Sequence, residues 1–258
     1  MMNALFTDLD GTLIFSQRSL PAHLTLEKCS IMETYTNGQY GYMESQTQRY
    51  LAHWSTKNLF VPVTTRSIDQ YQRLLSGFKD FHLPYFLVSN GGNLYRDGVL
   101  DHHWNKEVRK SLAVELEHTD EALAVVQGSL LPEWIRKIKI IDELYFCILV
   151  IEREWEIDKI ATVNQLLRPL GWQAYFQKKK LYVLPIALSK ENAVNRLKDG
   201  WKMNRQQIEK HYGLGDTTMD IPMLEEQNAY LYFGNDSRDF PHIVETNYSF
   251  SAIAKLLD

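Results

Sequence analysis

Short apolar runs, each ending on polar residues, recur along the chain with amphipathic stretches between them. Residues 4–7 lead to Asp8, 59–63 to Thr64, 85–88 to Ser89, Asn90 and Gly91, and 212–214 to Gly215 and Asp216. Runs of this length bounded by turn residues read as buried strands. Helical spacing appears in 47–55, 68–75, 191–197 and from Ile221 onward. Ser67 stands three residues before Gln70, the spacing of a capping box, and Pro222 falls in the first turn of the last helix. The alternation predicts an α/β fold with an open parallel sheet covered by helices. Ligands bind such sheets beyond the carboxyl ends of the strands. Here four strand ends carry Asp8, Thr64, Asn90 and Asp216. Pro62 removes a ladder donor and points to an edge strand.

Two segments break the rhythm. Residues 30–44 hold Asn37-Gly38 between strand-like flanks, which predicts a β-hairpin projecting beside the first strand end. Residues 104–185 read as a helix over 106–127 broken near Thr119, strands over 134–141 and 144–151, a helix over 156–167, and strands over 172–177 and 181–184. This αββαββ order predicts a second, α+β domain of residues 104–185 inserted into a core of residues 1–103 and 186–258.

Composition narrows the partners. With 28 basic and 32 acidic residues the formal net charge is −4, which gives no electrostatic reason to expect nucleic acid or an anionic membrane. Two cysteines, Cys29 and Cys147, are too few for a disulfide framework or a cysteine-rich zinc site. The longest apolar run, 144–151, is too short to span a bilayer, and the first residues lack a signal-peptide pattern. A cytoplasmic protein acting on a small molecule is the expectation; the oligomeric state is not legible.

The chemistry gathers at the strand ends. Asp8-Leu9-Asp10-Gly11-Thr12 places two carboxylates two residues apart, a costly arrangement unless a cation or hydrogen bonds compensate it. Gly11 permits close backbone approach to an anion or a positive φ. Asp216 and Asp220 add two more carboxylates. Alone they could be acids favoured by a helix dipole; beside Asp8 and Asp10 they favour a hard cation such as Mg²⁺. Thr64 and Lys190 could supply a donor and a positive charge to a phosphate near that cation. The His102-His103 pair and the Lys178-Lys179-Lys180 run read as exposed surface, with the lysines a weaker alternative as contacts to an anionic substrate.

Asp8-Leu9-Asp10-Gly11-Thr12, Thr64-Thr65-Arg66, Lys190 and Gly215-Asp216-x-x-x-Asp220 resemble, in order and spacing, the four motifs of the haloacid dehalogenase superfamily. Ser89-Asn90-Gly91-Gly92 resembles a signature of its subclass IIB, which carries a large cap after the second motif and includes sucrose-phosphate phosphatase, mannosyl-3-phosphoglycerate phosphatase and phosphomannomutase. The resemblance implies a Rossmann-like core with an inserted cap, and a Mg²⁺-dependent phosphatase of a small phosphorylated metabolite, such as a sugar phosphate, working through an aspartyl-phosphate. It implies Asp8 as nucleophile and Asp10 as general acid and base. Phosphate contacts would come from Thr64, Lys190, Thr65, Arg66, Asn90 and the backbone of Leu9 to Gly11. The metal would be held by Asp8, Asp10 through its carbonyl, Asp216 and Asp220. The chain departs from the pattern at Met219, where the subclass has asparagine, and at Thr65, where it has glycine; Thr217 or Thr218 could compensate for the first. A phosphomutase of the same fold and a non-catalytic module are the alternatives.

Overall fold

The computed structural model describes residues 2–151, 157–177, 179–204 and 207–258. In chain order they form β1 (Met2–Thr7), β2 (Phe15–Ser16), β3 (Cys29–Thr34), β4 (Tyr40–Glu44), α1 (Ser45–Ser55), β5 (Leu59–Pro62), α2 (Ile68–Gln72), β6 (Tyr85–Val88), β7 (Asn93–Arg96) and β8 (Val99–Leu100). Then come α3 (His102–Ser111), α4 (Ala113–Glu117), α5 (Thr119–Ser129), β9 (Ile135–Ile141), β10 (Tyr145–Val150), α6 (Ile157–Leu167), β11 (Trp172–Gln177) and β12 (Lys180–Pro185). The chain ends with α7 (Lys190–Met203), β13 (Ile208–Gly215), α8 (Ile221–Glu225), β14 (Ala229–Tyr232) and α9 (Phe250–Leu257). Two compact units result, Met1–Asp101 with Lys190–Asp258, and His102–Ser189.

The first unit is built on a parallel sheet of order β14-β13-β1-β5. Register sets its two faces. Leu5, Phe60 and Tyr212 pair across neighbouring strands and join one buried cluster with Leu51 of α1 and Ile253 and Leu257 of α9. Phe6, one residue on, points the other way and stacks on Trp201 of α7 at 5.7 Å. The expected helix over 191–197 runs on to Met203 because Ala193, Leu197 and Trp201 continue a buried stripe at i, i+4 spacing.

Pro62 explains a departure from the expected sheet. Val63 N–H donates to Thr7 on one side and Thr64 N–H to Leu87 on the other, so residue 62 faces β6 and has no N–H to give it. Contact with β6 is reduced to a single parallel bridge, Val63 to Leu87, and β6 turns instead into an antiparallel meander with β7 and β8. Helix α2 stops at Gln72 rather than Leu75 and continues as turns. Its capping box is formed: Gln70 N–H donates to Ser67 Oγ (3.3 Å) and Ser67 N–H to Gln70 Oε1 (2.9 Å). Ser67→Ala is expected to lower stability by about 1 kcal/mol, read as a shift in the urea midpoint at unchanged m-value.

The hairpin β3–β4 forms with β2 at its side. Its tip is a loop closed by Tyr35 N–H to Gln39 O (2.7 Å), wider than the two-residue Asn-Gly turn that the sequence suggests. Between Ile31 and Glu33 the register shifts, a β-bulge.

The second unit is an antiparallel sheet of order β11-β12-β10-β9 with helices packed on it. Asn164 of α6 locks onto β11 by accepting from Ala174 N–H (2.6 Å) and donating to its carbonyl (3.0 Å). The helical stretch expected over 106–127 begins at His102 and is interrupted at Leu112 and His118, giving α3, α4 and α5. Lys178, and Glu156 at the start of the expected fourth element, lie outside the described residues. Among the described residues no helix is long and apolar enough to cross a membrane.

Candidate active site

Strand order brings the sequence motifs together. β1 and β13 are hydrogen-bonded neighbours, and Asp8 N–H continues their ladder by donating to Leu214 O (2.9 Å), so Asp8 and Asp216 emerge side by side. Asp8, Asp216 and Asp220 can each offer an oxygen within 4.8 Å of the others. Gly11 makes room for this: its φ is +97°, and a Cβ there would stand 2.1 Å from Asp216 Oδ2. The buried Thr12 hydroxyl donates to Asp216 Oδ1 at 3.0 Å. Leu9 puts its side chain into the core while its carbonyl accepts from Thr12, Leu13 and Ile14, which ties the turn down.

Lys190, at the start of α7, is the cation of this group. Its Nζ donates to Asp8 Oδ1 (2.5 Å) and Asp220 Oδ1 (2.6 Å), with all three side chains buried. Burial alone would lower the Lys190 ammonium, but Asp220 and Asp8 outweigh it and hold its pKa above the ordinary lysine value. Burial pushes the Asp8 carboxyl up to about 6 against the pull of Lys190. The other oxygen of Asp220 accepts from Asp216 N–H (3.2 Å), Thr217 N–H (2.9 Å) and Thr217 Oγ1 (2.8 Å). Asp220 thus braces the turn that carries Asp216, and Thr217 supplies donors that Met219 lacks.

The loops after β5 and β6 are stitched together: Asn90 N–H donates to Thr64 O (2.9 Å) and Ser89 N–H to Arg66 O (2.7 Å). Ser89 and Asn90 hold φ near +55°, a left-handed backbone costing of order 1 kcal/mol for a residue other than glycine, and Gly91 follows at +92°. Thr64 is buried and its Oγ1 accepts from Arg66 N–H (3.2 Å); Thr65 lies half-buried beside it.

Arg66 is turned to carboxylates. It grips Asp10 with two bonds, Nε to Oδ2 and Nη2 to Oδ1, each 2.7 Å. Nη2 also pairs with Glu33 Oε1 at 2.5 Å. Glu33 escaped the sequence reading, and for a physical reason. Regular alternation after buried Met32 would expose Glu33 together with Ile31, which is 54% exposed. The bulge turns it inward instead, where its side chain is fully buried.

With Asp8 and Asp216 at paired parallel strand ends and Lys190 at the start of α7, the chain matches the model of the sucrose-6F-phosphate phosphohydrolase family over residues 2–252. The chain belongs to that family. It is therefore a phosphoric monoester hydrolase of haloacid dehalogenase subclass IIB, in a family of sugar-phosphate phosphatases, and not a non-catalytic module. The fold recurs in the sucrose-phosphatase of Synechocystis, solved in complex with sucrose and phosphate; it is 21% identical, with 94% of this chain and 87% of that one covered at a TM-score of 0.60. A Thermoplasma acidophilum protein is 14% identical over 100% of this chain and 95% of its own, at 0.59. A haloacid dehalogenase-like hydrolase protein of Bacillus subtilis is 13% identical over 99% and 90%, at 0.55. No curated protein matches the chain.

Proposed function

We propose that this enzyme is a Mg²⁺-dependent phosphatase of a small sugar phosphate, with Asp8 as nucleophile and Asp10 as general acid and base. The observation that carries this reading is the Asp8–Lys190–Asp220 chain beside Asp216: a carboxylate held in place by a buried ammonium, next to hard oxygen donors. The name of the family makes sucrose 6F-phosphate the first substrate to try.

In the first step an Asp8 oxygen attacks phosphorus and the bond from phosphorus to the sugar oxygen breaks. Asp10 gives its proton to the departing alkoxide, leaving an aspartyl-phosphate on Asp8. In the second step Asp10 takes a proton from water as that water attacks phosphorus. The bond from phosphorus to Asp8 breaks, and inorganic phosphate and the Asp8 carboxylate are restored. Lys190, Thr64, Thr65, Asn90 and the backbone of Leu9 to Gly11 hold phosphoryl oxygens, and Lys190 keeps Asp8 aimed. Arg66 acts on Asp10 rather than on phosphate.

The donor set fits Mg²⁺, since carboxylate oxygens without sulfur or imidazole suit a hard cation. Asp8, Asp216 and the Asp10 carbonyl would hold it, with Asp220 bracing Asp216. When bound, such an ion neutralises phosphoryl charge that would otherwise repel the Asp8 carboxylate.

The test is hydrolysis of p-nitrophenyl phosphate and a panel of sugar phosphates in large molar excess, with no bisphosphate added. Turnover is expected with Mg²⁺, none in excess EDTA, and recovery when Mg²⁺ is restored. Dependence on a bisphosphate activator would assign a mutase, and full activity in EDTA would remove the metal from the mechanism.

A further inference from the structure

Glu33 is a carboxylate with no part in the reaction as written above, yet a bulge, a facing glycine and two arginines converge on it. The bulge after Ile31 turns it inward. Opposite it in the ladder stands Gly41, and a Cβ there would come within 3.0 Å of both Glu33 Cγ and Oε1, so only a glycine leaves the space Glu33 fills. Two arginines meet it: Arg66 Nη2 at 2.5 Å from Oε1 and Arg73 Nε at 3.5 Å from Oε2. Tyr35 lies close by: burial together with the charges of Glu33 and Asp10 pushes its phenol up to about 12.

A buried carboxylate is costly unless its partners need it. The partner here is Arg66, whose guanidinium also makes the two bonds to Asp10. Asp10 itself is exposed over 44% of its side chain, and Arg66 engages both of its carboxylate oxygens. Bidentate Arg–carboxylate geometry fixes both distance and plane. Arg66 would hold that plane only if its own long side chain were pinned, and Glu33 is the group that pins it.

We propose that Glu33 is a positioning residue for catalysis: through Arg66 it sets the direction of the Asp10 carboxylate, so that the hairpin β3–β4 is a working part of the active site. This rests on the reading of Asp10 as general acid and base. Nothing is transferred to or from Glu33; its effect is on where Asp10 points when the sugar oxygen leaves and when water attacks.

The experiment compares two esters in single-turnover kinetics: p-nitrophenyl phosphate, whose leaving group needs little protonation, and whichever sugar phosphate the wild type hydrolyses best. The variants are Glu33→Gln, Gly41→Ala, Asp10→Asn, and the Glu33→Gln/Asp10→Asn double. Phosphorylation of Asp8 by the sugar ester is expected to slow roughly 10- to 100-fold in Glu33→Gln, the scale of a misplaced catalytic group. The p-nitrophenol burst should change by less than about 3-fold, since it makes little use of an acid. In the Asp10→Asn background, Glu33→Gln should add no further loss on the sugar ester, because the group it positions is gone. Gly41→Ala displaces Glu33 without changing any charge and should show the same selective loss; it carries the test if Glu33→Gln does not fold.

Equal losses on the two esters, or losses that add in the double variant, would make Glu33 a merely structural residue and overturn the proposal. A different outcome sinks the reading beneath it: if Asp10→Asn alone slowed both esters equally, Asp10 would not be the acid. If Asp10→Asn discriminated between the esters and neither hairpin variant did, the reading would stand and the role of Glu33 would fall.

Discussion

Asp8→Asn is expected to abolish phosphatase turnover, by on the order of 10⁴-fold or more, while leaving the folded protein intact. The amide keeps the shape of the carboxylate and an oxygen for the Lys190 ammonium, which sits 2.5 Å from Asp8 Oδ1. It lacks the charged oxygen that attacks phosphorus, and no positioning of the remaining groups replaces a missing nucleophile. The fold should tolerate the change because the site carries more negative charge than it balances. Asp8 and Asp220 share one buried lysine, and Asp216 brings a third carboxylate within 4.8 Å of theirs. Burial pushes Asp8 up to about 6, above its unfolded value near 4. A carboxyl raised on folding takes stability away as pH rises through that range, and so at neutral pH the ionised Asp8 costs the metal-free protein stability rather than supplying it. The metal-free variant should therefore melt no lower than wild type at pH 7.5, in the same buffer with EDTA. Steady-state hydrolysis by a well-folded Asp8→Asn enzyme at even a hundredth of the wild-type rate would end the covalent mechanism.

The parts of this protein that were legible in the sequence are those where local pattern and tertiary outcome agree. Each apolar run that ends on a polar residue is a strand whose last side chain leaves the core, and parallel register then carries Asp8 and Asp216 to the same edge. Ser67 and Gln70 form the capping box their spacing announces. What was not legible depends on contacts between distant segments. Arg66 has the same type and position whether it meets phosphate or a carboxylate; only the fold shows it gripping Asp10. Glu33 looks like an exposed residue in a polar hairpin, because a bulge leaves no mark in composition. Pro62 was legible as an obstacle, but not which neighbour would lose its bond. That depended on which way residue 62 faces, and the flanking amides of Val63 and Thr64 determine it. Thr217 shows the same limit from another side. The sequence shows a methionine where an amide is usual, and the structure shows a hydroxyl two residues earlier already bonded to Asp220.

Lys190→Met should damage the fold as well as the reaction. Methionine fills much of the same volume, so the loss isolates the ammonium. That group is the shared partner of Asp8 at 2.5 Å and Asp220 at 2.6 Å, and all three side chains are buried. Breaking a buried ion pair by removing one member leaves an uncompensated charge, at a cost of about 3–5 kcal/mol. Here two carboxylates lose their partner together, so the upper part of that range is expected for the metal-free protein in urea denaturation. Its pH dependence identifies the cause. In the wild type the Lys190 pKa is raised on folding, so its contribution is fully present below the unfolded lysine value and is lost only in strong base. In the variant Asp8, already raised by burial, loses the pull of Lys190 and rises further, which makes the folded state bind a proton the unfolded chain does not. Stability then recovers as the pH falls. The deficit should be largest near pH 8 and shrink toward pH 5, while turnover stays at least 10³-fold down throughout, the scale of losing a group that stabilises developing phosphoryl charge. A deficit that stayed constant from pH 8 to pH 5 would mean that packing, not charge, holds Lys190 in place. Wild-type turnover in the variant would show that Asp8 needs no ammonium to aim it.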